Sequence, residues 1–178
     1  NFIRTNEIFD HDPILFNTLI FGECSKGCTQ VINYKTKEMI SEYDINLDKI
    51  VSHDVWCHLM CIAIGKIIVD NSSTLKFRRH SNNVTPFHKT SSTLKYHLWR
   101  FKTYILNNSG KKLVKTFSEF YRLYKSYVNE DDSKLFDLFA DEKYNLIKAL
   151  KKFFYPKRFR KSYFDEFAVR FAYLFGKL

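Results

Sequence analysis

The chain is poor in the residues that interrupt regular structure. Only five of its 178 residues are Gly and three are Pro, which points to packed elements joined by few long loops. Recognisable catalytic signatures are also missing. There is no P-loop, no G-x-G-x-x-G, no G-x-S-x-G and no H-E-x-x-H, so nothing in the sequence names an enzyme. No apolar run reaches the ~18–20 residues of a membrane-spanning helix. The longest, Val55 to Val69, is interrupted by His58 and Lys66. Residues 1–20 show no basic region followed by an apolar one, so no signal peptide is expected among them. These absences lead us to expect an intracellular protein without a membrane span or cofactor.

Acidic residues are nearly absent from the middle of the chain. Residues 71–128 hold 12 Lys/Arg and a single acid, Glu119. Residues 1–70 hold 6 Lys/Arg against 10 Asp/Glu, and residues 129–178 hold 11 against 8. The net charge of +10 is therefore concentrated beyond residue 70. Such a field favours a polyanionic partner, nucleic acid first among them.

Apolar and aromatic residues are plentiful, with 18 Phe and 11 Tyr, ample for a core. Their spacing reads as a mainly α protein, a single domain over 1–178 with an acidic part (1–70) and a basic part (71–178). About six helices are expected, with one small β-hairpin near residues 29–42, where Val31–Tyr34 and Glu38–Ser41 read as short strands. Asp12, Pro13 and Gly22 bracket a first helix. Ser52 starts another, with Val55, Leu59, Ile62 and Val69 on a face expected to be buried. Ser91 or Ser92 caps a helix whose inward stripe is Leu94, Leu98, Phe101 and Ile105. Thr116 and Glu119 stand at capping-box spacing ahead of a Phe117, Phe120, Tyr124, Val128 stripe. After "NEDDS" one helix is expected to run from Lys134 to Tyr155. A last helix starts at Ser162, turns Phe164, Phe167, Phe171 and Leu174 inward and stops at Gly176.

Two stretches nearly repeat, "SSTLKF" at 72–77 and "SSTLKY" at 91–96. The second copy reads as a helix start. The first runs into "KFRRH", too basic to bury. The four cysteines form two Cys-x3-Cys pairs, Cys24 with Cys28 and Cys57 with Cys61. The stretch "KTSSTLKYHL" is similar to the Ser/Thr, Leu and first His of BED-type zinc fingers. Its cysteine pair, however, is spaced by three rather than two, and no His or Cys follows His97 to close the site. Cys57 and Cys61 are therefore expected to pack as small hydrophobes, with no metal bound.

The candidate interface alternates cations with aromatics. Lys76, Arg78, Arg79, His80, Lys89, Lys95, Arg100 and Lys102 are interleaved with Phe77, Phe87, Tyr96 and Trp99. Cations neutralise phosphates and exposed rings stack on unpaired bases. A second run carries Lys151, Lys152, Lys157, Arg158 and Arg160. The expectation is a nucleic-acid-binding domain. A helical interaction module for an acidic partner protein is the alternative. A small metal-independent nuclease using His80, His88 or His97 comes third. No residue is assigned a catalytic role.

Overall fold

The computed structural model describes Phe16, Leu19 and residues 26–70, 109–160 and 163–177. The first basic segment, Lys76 to Lys102, lies outside these residues, as do the helix expected after Ser91 and the caps expected at Asp12 and Ser162. Six α-helices run through the described residues: α1 (Tyr34–Ser41), α2 (His53–Ala63), α3 (Ser109–Tyr124), α4 (Glu130–Phe139), α5 (Leu146–Phe153) and α6 (Tyr163–Leu174). None is long and apolar enough to cross a membrane.

The expected hairpin is helix α1 instead, and no strand occurs among the described residues. Asn33 decides the matter. Its side-chain oxygen accepts the Thr36 amide and hydroxyl, each at 2.9 Å, which closes a helix N-terminus. Met39 and Ile40 then pack against the core beside Tyr43. Helix α2 is shorter than its apolar run. It stops at Ala63, with Ile64 and Gly65 donating back to Met60 and Cys61. Val55 and Leu59 are buried as expected, but Val69 lies beyond the helix end and is exposed.

The core is a chain of aromatic contacts. The Trp56 ring meets Phe120 at 5.6 Å, and Phe120 stacks on Phe136 at 5.6 Å. Phe139 meets Phe159 at 6.0 Å, and Phe159 meets Tyr173 at 5.7 Å. Such offset and edge-on pairs add to the stabilisation from burial. Phe117, Phe120 and Tyr124 form the inward stripe of α3, as the spacing predicts.

Thr116 and Glu119 do not begin that helix. It starts at Ser109, and both residues sit buried inside it. The Thr116 hydroxyl donates to the Lys49 carbonyl at 2.8 Å and accepts the Val51 amide at 3.0 Å. Glu119 accepts from the Asn46 amide at 3.4 Å and from Arg122 at 2.7 Å. The arginine holds this carboxylate below its ordinary range, although burial opposes the shift. Segment 46–51 is thus fastened along α3 by polar groups whose backbone partners would otherwise be unsatisfied.

The helix expected over 134–155 is two helices. Ala140 closes α4, and Asn145 opens α5 by accepting the Lys148 amide at 3.0 Å. Helix α6 is rotated from expectation. Phe164, Phe167 and Phe171 face solvent and Leu174 is half-buried, whereas Asp165, Glu166 and Val169 are buried. Glu166 accepts the amides of Phe159 and Arg160, both at 2.7 Å, and pairs with Arg170 at 2.6 Å. Arg170 in turn donates to the carbonyls of Phe153, Tyr155 and Lys157. The α5–α6 connection needs these polar partners, so the polar side of α6 turns in and the phenylalanines turn out. At its end Gly176 adopts φ +64°, a conformation that favours glycine. Lys177 donates back to the Ala172 carbonyl at 2.8 Å, as in a Schellman cap.

Candidate nucleic-acid interface

The first two turns of α3, the α4–α5 loop and the inner face of α5 enclose a recess of about 170 Å³. Five lysines line it: Lys111 and Lys115 from α3, Lys143 from the loop, and Lys148 and Lys152 from α5. Lys111 and Lys115 lie in the turn of α3 just ahead of Thr116, which fastens segment 46–51, and the Asn145 cap opens the helix that carries the α5 pair.

Two carboxylates share the recess, and both are engaged. Asp141 pairs with Lys148 at 2.7 Å, a contact that holds its carboxyl below the ordinary range. Glu142 pairs with Lys49 at 2.9 Å. Among the described residues no carboxylate pairs with Lys111, Lys115 or Lys143. The wall therefore keeps a net positive charge directed at the opening.

Lys152 is different in kind. It is only 6% exposed. Its ammonium lies 4.8 Å from the centre of the Tyr173 ring and 5.9 Å from that of Phe139. The ring faces offer partial compensation for lost hydration. Burial still pulls its pKa down to about 8, against a smaller opposing pull from Asp141. A cation so placed gains from an anion entering the recess, because the anion supplies the counter-charge that the protein withholds. Tyr144 stands at the rim with its ring exposed and its hydroxyl donating to the Leu174 carbonyl at 2.9 Å.

The second basic run is split by the fold. Lys152 joins the recess, and Lys151 projects from α5 one turn past Lys148. Lys157 and Arg158 lie on the exposed connection beyond α5, over the Phe16 and Tyr163 rings respectively. Arg160 is half-buried, and its guanidinium donates to the Phe159 carbonyl at 2.9 Å. It belongs to the support of that connection more than to a surface patch. Lys111, Lys115 and Lys143 were missed by sequence reasoning. The i, i+4 spacing of Lys111 and Lys115 was the available signal, and it was obscured by starting the helix at Thr116.

The described cysteines are free thiols. Burial pushes the thiols of Cys57 and Cys61 up, which makes both poor nucleophiles. Among the described residues no cluster of three or more His, Cys, Asp or Glu is placed to hold a metal ion. No protein-family model, curated protein or solved structure matches the chain.

Proposed function

We propose that this chain is a nucleic-acid-binding domain that grips the phosphate backbone at the lysine recess. One observation carries the reading: five lysines from three separate elements converge on one opening, where both carboxylates are already engaged. A structural role alone does not call for that convergence. Phosphate oxygens accept charge-assisted hydrogen bonds from lysine amines, and neutralising several phosphates releases counterions. Exposed Lys151, Lys157 and Arg158 extend the positive surface. The Tyr144 ring at the rim offers a stacking surface for an unpaired base.

The test is fluorescence anisotropy with a single-stranded oligonucleotide and, separately, an acidic peptide of equal charge. The proposal expects the oligonucleotide to bind tighter. It also expects the Lys111→Ala, Lys115→Ala, Lys143→Ala triple variant to weaken that binding at least tenfold. If the peptide binds as well, or the triple variant binds the oligonucleotide normally, the recess is not a nucleic-acid site.

A further inference from the structure

Helices α5 and α6 carry their apolar stripes outward. On α5, Ile147 and Leu150 stand with the C-cap residue Phe154 at i, i+3 and i+7, and the exposed Lys151 edges this side. On α6, Phe164, Phe167 and Phe171 repeat that spacing. All six are 42–74% exposed. The stripes meet at Phe153, whose ring packs edge-on against Phe154 at 5.1 Å and against Phe171 at 5.5 Å. Every exposed residue of α6 is aromatic, and its charged residues lie on the inner side. Rotating α6 to hide the phenylalanines would strip the 153–160 connection of Glu166 and Arg170. The fold therefore commits this face to the outside.

Size and chemistry narrow the occupant. Together with Phe175, these side chains leave on the order of 800 Å² of apolar surface, taking ~200 Å² for a whole aromatic side chain. That exceeds the ~300–600 Å² of the largest patch on a typical monomer. It equals the ~800 Å² per partner of a standard stable interface. The outward side of α6 has no charge to complement an ionic partner. Tyr144 reaches Leu174 while Phe153 reaches Phe171, so α5 packs on the C-terminal half of α6. Two helices that share one apolar side can bury it by two-fold stacking on an identical pair.

We propose that the α5–α6 face docks a second copy of this chain, α5–α6 against α5–α6, in a two-fold dimer. The proposal does not rest on the nucleic-acid reading, and salt separates the two. Screening the repulsion between chains of charge +10 strengthens the dimer but weakens phosphate binding.

Sedimentation equilibrium over a concentration series, at low and high salt, tests it. The expected species has twice the chain mass of 21.3 kDa, with more dimer at high salt. Phe167→Glu and Ile147→Glu, each at an exposed site, should weaken association at least tenfold while the helical circular dichroism is unchanged. A wild-type protein that stays at 21.3 kDa throughout overturns the proposal, whatever the variants do. So does a dimer indifferent to both substitutions. A monomer that instead sediments with lipid vesicles assigns the face to a bilayer and also overturns it.

Discussion

Two buried bases set the pH response. His58 is buried in α2, and desolvation lowers its pKa from 6.5 to about 4. Between those values the unfolded chain binds a proton that the folded chain refuses. Stability is thus fully present above pH 6.5 and declines as pH falls toward 4. At 1.36 kcal/mol per unit, the loss between pH 6.5 and about 5 is roughly 2 kcal/mol. Denaturant melts across that window should show it, and His58→Leu should flatten the slope. Lys152 works in the alkaline range. Its folded pKa of about 8 lies below the ordinary 10.5, so the burial penalty is full below pH 8 and relieved as pH rises to 10.5. Lys152→Met should therefore stabilise the fold at neutral pH, by at most about 3 kcal/mol, while weakening oligonucleotide binding. A variant that is less stable and binds normally would show that Lys152 is structural.

At the scale of elements, polar side chains override apolar patterns wherever backbone groups need partners. The α3 stripe of Phe117, Phe120 and Tyr124 was legible because these side chains are all buried at helical spacing, Phe120 and Tyr124 among other rings. The α6 stripe was misread because Glu166 and Arg170 are required inside, a demand created by a connection that periodicity does not reveal. Asn33 likewise converts a β-branched run into a helix start, and Asn145 cuts a long helical pattern in two. The basic character of the site was legible from charge alone. Its geometry was not, since only the fold sets Lys111, Lys115 and Lys143 around one recess with the α5 lysines. The Thr116 fastening is the element-scale test. Thr116→Val keeps the shape but leaves the Val51 amide and the Lys49 carbonyl without this partner. Urea unfolding should register a loss of about 1–3 kcal/mol, and oligonucleotide affinity should fall as the α3 lysines lose their fixed position. A loss confined to stability would separate the fastening from the recess.

At the scale of the molecule, the described residues present two unlike surfaces: a cationic recess lined by α3, the α4–α5 loop and α5, and an apolar, phenylalanine-rich face on α5 and α6 edged by Lys151. Nucleic acid is proposed for the first and a second copy for the other, so a dimer would carry two recesses. The +10 charge raises the rate of encounter with polyanions, an effect that fades with salt. An amide-resolved NMR titration with a short single-stranded oligonucleotide distinguishes the recess from the α6 face. The largest shifts are expected at residues 111–115, 143–152 and 157–158, with 164–171 little changed, and all shifts diminishing at high salt. Shifts centred on the α6 phenylalanines, or none at 111–115 and 143–152 under conditions where the oligonucleotide is bound, would contradict the nucleic-acid reading of the recess.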